Sequence, residues 1–219
     1  MGQKAEGEKG MNEKLRTVIF TIAVTAVFAI LVSGVNAALS EKIAANKLIA
    51  RQKVILELFG LIPQSLPEEQ IPGVFAEKIA DNPKFGGTAI ESFLLKDGNG
   101  SLQVCSFSGQ GFWDAIKGFI AIDLSEKVVK GIEFTQHGET PGLGGRISEP
   151  EFKARFVGKP FAAVRSDGLR LKFVAEGTAG RADEIDGITG ATGTTGALEK
   201  IINGAISQIL EINERGAAK

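Results

Sequence analysis

The chain has 219 residues, and its 25 Lys and Arg against 26 Asp and Glu give a net charge of −1, so no basic excess speaks for a nucleic-acid surface. Hydrophobic residues make up 43% and charged residues 23%, a globular balance that excludes global disorder. One Cys and one His exclude an intramolecular disulfide, a Cys-ligated iron–sulfur or zinc site and a multi-His metal centre.

From the N-terminus, residues 1–16 read as a short Gly/Glu/Lys-rich cytoplasmic tail without structure. Thr17 to Ser40, between Arg16 and Glu41, are 24 residues without a charge. As a helix they span about 36 Å, against about 30 Å of bilayer hydrocarbon. A retained transmembrane helix over 17–40 is predicted. The alternative is a cleaved signal peptide, with Lys14 and Arg16 ahead of it and Val35-Asn36-Ala37 as cleavage site. That reading asks for an apolar core of only about 7–15 residues. The flanks do not orient the helix: Lys4, Lys9, Lys14 and Arg16 face Lys42, Lys47, Arg51 and Lys53.

Residues 41–84 read as a stalk and entry segment. A helical pattern continues to residue 59, Pro63, Pro67, Pro72 and Gly73 punctuate a loop, and Phe75–Ala80 suits a short helix. The domain proper is expected over 85–212, with a tail at 213–219. Ala89–Leu95, Leu102–Phe107, Gly118–Leu124 and Lys127–Thr135 are strand candidates joined by short turns, which favours antiparallel hairpins. Ser148-Glu149-Pro150-Glu151 reads as a capping box opening a helix through Phe156. Leu169–Ala175 is a further strand. Leu198, Ile201, Ile202, Ala205, Ile206, Ile209 and Leu210 keep the spacing of an amphipathic helix against a core. The fold class is α+β: one N-terminal transmembrane helix, then a curved, mainly antiparallel sheet with flanking helices.

Glycine, 28 residues or about 13% of the chain, is nearly twice its average of about 7%. It concentrates in two motifs. Asp186-Gly187-Ile188-Thr189-Gly190-Ala191-Thr192 precedes the last helix, where unpaired amides and the helix dipole favour a phosphate. The plain alternative is an N-cap loop closed by Thr194 or Thr195. No Walker loop or Rossmann fingerprint is present. His137-Gly138-Glu139-Thr140-Pro141-Gly142-Leu143-Gly144-Gly145 follows a strand, and Pro141-Gly142 predicts a tight turn. It reads either as a long Gly-rich hairpin turn or as a loop that lets backbone approach a flat ligand.

Together these motifs resemble the FMN-binding domain of the C subunit of the Na⁺-translocating NADH:quinone oxidoreductase, and equally the G subunit of the Rnf electron-transport complex. The flavinylation pattern of that family is Asp, two variable residues, Ser or Thr, Gly, Ala, then Thr or Ser. Asp186, Thr189, Gly190, Ala191 and Thr192 fill it. The H-x-E-T-P-G-L-G loop is filled by His137, Glu139, Thr140, Pro141, Gly142, Leu143 and Gly144. Gly109-Gln110-Gly111-Phe112-Trp113 and the run from Gly144 to Phe152 resemble the quinone-reductase branch, while the compact length resembles the Rnf branch.

The resemblance implies FMN esterified through its phosphate to the Thr192 hydroxyl, installed from FAD with Mg²⁺ by a flavin transferase that reads Asp186 and the small residues near it. Thr189 is implied as a recognition or phosphate contact, and Thr140, Leu143 and Gly144 as loop residues facing the ring. Trp113 either walls the isoalloxazine or belongs to the core. Glu139 either bonds the flavin or braces its loop. His137 is expected to hydrogen-bond within the loop, and Cys105 to be a small buried group. No catalytic side chain and no metal ligand is expected. The implied role is an electron-carrier subunit relaying electrons within an ion-translocating NADH:quinone or Rnf-type oxidoreductase complex. It would be held in the inner-membrane lipid by a single pass, with its domain on the periplasmic side and other membrane subunits as partners. The alternatives are an orphan membrane-anchored flavoprotein carrier or redox sensor, and a non-redox binding module.

Overall fold

The computed structural model describes residues 2–62 and 66–217. The chain divides into two units, Met1–Leu48 and Ile49–Lys219. The first lies on helix α1 (Gly2–Leu58), which is helical from Gly2 where the sequence suggested an unstructured tail. From Lys14 onward α1 is long and apolar enough to cross a membrane. Its Val, Ile, Leu and Phe side chains between Val18 and Leu39 are exposed, as on a helix that is apolar all round.

The second unit is built on a five-stranded antiparallel meander, β1 (Ile79–Asp81), β2 (Ser92–Leu95), β3 (Leu102–Gln110), β4 (Ala115–Asp123) and β5 (Val128–Gln136), in sequence order. The hairpins predicted from the short turns are therefore present. The helix expected over Phe75–Ala80 is instead α2 (Ile71–Lys78), and the chain turns extended at Ile79 to form β1. Of the proline run at the entry, Pro63 lies outside the described residues.

Both faces of the sheet are covered. Side chains alternate along a strand, and in β4 Ile116, Ile120 and Ile122 enter one core while Phe119 and Ala121 enter another. The first core takes α4 (Thr192–Ala217), whose Leu198, Ile202, Ile206 and Ile209 are the predicted apolar stripe. It also takes α3 (Pro150–Ala154). Rings contact in a chain from Phe134 through Phe152 and Phe156 to Phe173, with centroids 6.4, 5.6 and 5.8 Å apart, the first pair tilted and the other two edge to face. The second core takes Ile55, Leu56 and Phe59 at the end of α1, and Ile71 and Ile79. The segment 41–84 thus contributes a strand and half of this core from Ile49 on. Arg51 reinforces it, 5.6 and 5.7 Å from the Phe93 and Phe119 ring centroids and paired with Glu91 at 2.5 Å.

Two further differences bear on the site. The strand expected over Leu169–Ala175 is only β6 (Lys172–Val174), and it pairs in parallel with an unforeseen β7 (Glu184–Asp186) that delivers the Asp186 motif. Helix α4 continues through Ala217, so the tail expected from 213 is helical to that point.

The β4–β5 ladder shifts register at Lys117/Gly118. A Cβ on Gly118 would stand 2.1 Å from the Glu133 carbonyl oxygen and 2.6 Å from Phe107 Cζ. Gly118→Ala should cost about 1–3 kcal/mol or more, because backbone cannot yield as a flexible side chain does. Thermal unfolding reads this as a lowered Tm, and an unchanged Tm would contradict the packing described.

Candidate functional site

Three loops meet at the first turn of α4. The first joins β3 to β4 and carries Gly111, Phe112 and Trp113. The second follows β5 and carries His137 to Gly145. The third follows β7 and leads through Ile188–Ala191 into α4.

The second loop turns where predicted. Leu143 N–H donates to the Thr140 carbonyl at 3.1 Å, with Pro141 and Gly142 between them and Gly142 at φ +73°. That is a type II turn, and its third position needs a residue tolerant of positive φ. The third loop repeats the device: Ala191 N–H donates to the Ile188 carbonyl at 3.0 Å, with Gly190 at φ +79°. The two turns touch, since a Cβ on Gly190 would stand 3.2 Å from Leu143 Cδ2. Ile188 and Ala191 are buried in the core, which leaves Thr189, Gly190, Thr192 and Gly193 exposed between and beyond them.

Thr192 is the first residue of α4, and its hydroxyl has no partner among the described residues. The amides of the first helical turn have no carbonyl one turn back to bond. The two Thr residues that offered an ordinary cap do otherwise. The Thr194 hydroxyl donates to Glu139 Oε2 at 2.5 Å, and Thr195 Oγ1 accepts from Ile188 N–H at 3.3 Å.

Glu139, only 4% exposed, links all three loops. Its Oε1 accepts Phe112 N–H at 2.9 Å and Trp113 N–H at 3.0 Å, and its Oε2 accepts the Thr194 hydroxyl. Of the two roles open to Glu139 in the sequence, the structure therefore gives the brace. Glycines make room for it. A Cβ on Gly111 would stand 2.5 Å from Oε1, and one on Gly144 would stand 2.9 Å from Oε2 and 2.3 Å from Thr194 Oγ1. Gly109 serves α4 instead, as a Cβ there would stand 2.5 Å from Ile201 Cγ1.

Trp113 is 66% exposed and Phe112 58%, so the core alternative for Trp113 is excluded. The rings meet edge to face at 5.2 Å. A Cβ on Gly193 would stand 2.3 Å from Phe112 Cδ2, which puts the Phe112 ring directly against the start of α4. Leu143 and Thr140 are exposed on the facing loop. His137 Nε2 lies 2.9 Å from Ser148 Oγ, the loop hydrogen bond expected of it. Ser148 is thereby diverted from capping: α3 starts with Glu149 at its N-cap and no side-chain cap bond. Cys105 is buried, and burial pushes its thiol up to about 12.

A polar cluster that the sequence did not single out holds the third loop from behind. Glu176 Oε2 accepts Thr189 N–H at 2.9 Å, and Oε1 accepts from Arg155 at 3.0 Å and Arg146 at 3.4 Å. Arg155 also donates to the carbonyls of Asp186 and Gly187 at 2.9 and 2.6 Å. Asp186 Oδ1 accepts the amides of Thr178 and Ala179, both at 2.9 Å. No motif spacing marks Glu176 or Arg155: Glu176 follows β6, which the parallel pairing sets beside β7, and Arg155 comes from the end of α3. Hydrogen bonds from Thr189 first, then Arg155, hold the Glu176 carboxyl down at about 2.

The surface is chemically suited to a flat ring bearing a phosphate: exposed aromatic and aliphatic faces, glycine-lined approach, and an exposed hydroxyl at a helix start. Residues 111–207 match the family model described as an FMN-binding domain. The C subunit of the Na⁺-translocating NADH-quinone reductase of Yersinia pestis is 24% identical over 186 residues, covering 66% of this chain and 70% of that protein. The C subunit of the same reductase in Pasteurella multocida is 27% identical over 209 residues, covering 76% and 79%. Among solved structures, the C subunit of the reductase of Parabacteroides distasonis aligns with a TM-score of 0.60 at 20% identity, covering 75% of this chain and 91% of that one. NqrC of Shewanella oneidensis aligns with a TM-score of 0.58 at 21% identity, covering 73% and 91%. These two likenesses establish a shared fold.

A carboxyl lowered in the folded state stabilises it above the unfolded pKa, and that stabilisation is lost as pH falls through the folded value. For Glu176 the window runs from the ordinary 4.5 down to about 2. Glu176→Gln should lower Tm at neutral pH, and the gap to the unsubstituted chain should narrow as pH falls through that window. A gap that stays constant from pH 7 to pH 2 would contradict this role.

Proposed function

We propose that this chain belongs with the C subunits of the Na⁺-translocating NADH-quinone reductase and is a membrane-anchored electron carrier with FMN esterified to Thr192. The observation that carries the reading is the exposed Thr192 at the first residue of α4, whose hydroxyl has no partner among the described residues, beside an exposed aromatic pair and inside the FMN-binding domain match.

Attachment proceeds from FAD and Mg²⁺ on a separate flavin transferase. Thr192 Oγ forms a bond to the flavin-side phosphorus, the pyrophosphate bond breaks, AMP leaves, and the hydroxyl proton passes to a base on that enzyme. The first-turn amides of α4 then face the phosphoester, where the helix dipole favours negative charge. Thr189 and Gly190 border the ester. Trp113 and Phe112 supply an aromatic wall, with stacking and edge contacts favoured by the ring quadrupoles. Leu143 and Thr140 supply the opposite side, while Gly144, buried against Glu139 and Thr194, stands behind them rather than facing the ring. Asp186 shapes the motif that the transferase reads, by fixing the turn at residues 178–179.

Bound flavin accepts one or two electrons, so it joins one-electron and two-electron partners. The protein's own part is to bind, orient and leave one edge open to those partners. The relatives named above are subunits of a Na⁺-translocating NADH-quinone reductase, which supports that complex over the Rnf type and over an orphan carrier or sensor. Helix α1 crosses the inner membrane once, and the domain from Ile49 lies on the periplasmic side among other membrane subunits of the complex. An ester tether suits that side, where lost FMN would not be replaced.

Coexpressed with a flavin transferase, the chain should fluoresce as flavin after denaturing electrophoresis, and Thr192→Ala should abolish the band while its circular dichroism stays native. Persistent in-gel fluorescence from Thr192→Ala would overturn the attachment site. A periplasmic reporter fused after Lys219 should be active. Activity only from a cytoplasmic reporter would reverse the topology.

A further inference from the structure

We propose that Glu139 is a positioning residue, a buried carboxylate that locks the exposed Phe112–Trp113 pair to the first turn of α4. It thereby sets the ring-side wall at a fixed reach from Thr192. The inference rests on the flavin reading for its purpose, though not for its geometry.

Beyond the contact of the Phe112 ring with Gly193, the aromatic pair has little else to hold it. Both rings are more than half exposed, so core packing does not fix them. Their loop is closed at its base by Gly111 N–H donating to the Asp114 carbonyl at 2.9 Å, which leaves the amides of Phe112 and Trp113 at the tip. Both amides end on the same oxygen, Glu139 Oε1. The other oxygen takes the Thr194 hydroxyl, two residues after Thr192 on the same helix turn. One side chain therefore joins the wall to the anchor, with no intervening residue to slacken the link.

Stability alone does not call for this arrangement. Burying a carboxylate costs several kcal/mol before its partners offset it, and an apolar replacement of like volume is often neutral or better. An ionised carboxylate is acceptor-only, and all three groups that converge on Glu139 are donors. Both glycines packed on it, Gly111 and Gly144, come from the loops that it joins. The investment lies wholly at the site.

The test uses the full chain in detergent, made without the flavin transferase. Trp113 is the only Trp and there is no Tyr, so intrinsic fluorescence reports that residue alone. In Glu139→Gln the amide oxygen still accepts both backbone N–H groups, and the amide nitrogen donates to Thr194 Oγ1 with the hydroxyl turned round. Glu139→Ala removes all three bonds. Time-resolved anisotropy of Trp113 should gain a fast local component in Glu139→Ala and retain the slow tumbling of the unsubstituted chain in Glu139→Gln. In flavin-bearing protein, Glu139→Ala should also shift the flavin midpoint potential while the ester survives in-gel.

Unchanged anisotropy or an unchanged potential in a natively helical Glu139→Ala would overturn the inference, as would Glu139→Gln moving as freely as Glu139→Ala. If Glu139→Ala does not fold, Thr194→Val removes only the helix-side bond. It should free Trp113 as well, and a rigid Trp113 in that variant would overturn the proposal. Absence of flavin from the unsubstituted chain would count against the proposed function and leave the fluorescence result standing.

Discussion

The convergence of donors on the Glu139 carboxylate is the interaction on which this surface depends. A buried anion is tolerated only when hydrogen bonds replace its lost water, and here two backbone amides and one hydroxyl do so. Those donors come from two segments about 80 residues apart in sequence, so satisfying one charge draws distant parts of the chain together. Glycine is the matching requirement. At Gly111, Gly144 and Gly193 any side chain would strike a neighbour within 2.5 Å, which gives the glycine-rich motifs a steric reason rather than a compositional one.

A second set of contacts works from the other side. Glu176 and Arg155 grip the backbone of the Asp186–Thr189 segment, while Ile188 and Ala191 plug into the core. The segment is thus held by its amides and carbonyls and by its apolar side chains, and Thr192 is left outward. Nearby hydroxyls are occupied: Thr194 is held by Glu139, and Thr195 receives the Ile188 amide. Helix α4 starts at Thr192, ahead of its buried apolar stripe from Leu198, so its first turn is carried to the surface by the same helix that fills the core between β3–β5 and α3.

Much of this was legible in the amino-acid sequence. The extended runs joined by short turns and the spacing from Leu198 to Leu210 announced an antiparallel sheet and a packed helix. Pro141-Gly142 announced its turn, because the proline ring fixes φ at one position and glycine permits positive φ at the next. The two motifs pointed to FMN, and the domain match agrees. What escaped was set by tertiary contact. Ile79–Asp81 is three residues long and becomes a strand only by pairing with Phe93–Leu95. Residues 184–186 are extended only beside Lys172–Val174. Ser148 looked like a helix cap but is taken by His137, a partner 11 residues away that no local pattern reveals. Glu176 and Arg155 belong to no motif, and Trp113 could be assigned to wall or core only once its exposure was known.

The central claim is one covalent bond, and peptide mapping by mass spectrometry tests it most directly. The full chain, coexpressed with a flavin transferase and digested, should yield the peptide bearing Asp186 to Thr192 heavier by one FMN less one water, with fragment ions placing the addition on Thr192. The same peptide recovered unmodified, or carrying flavin on Thr189 or any other residue, would contradict the account.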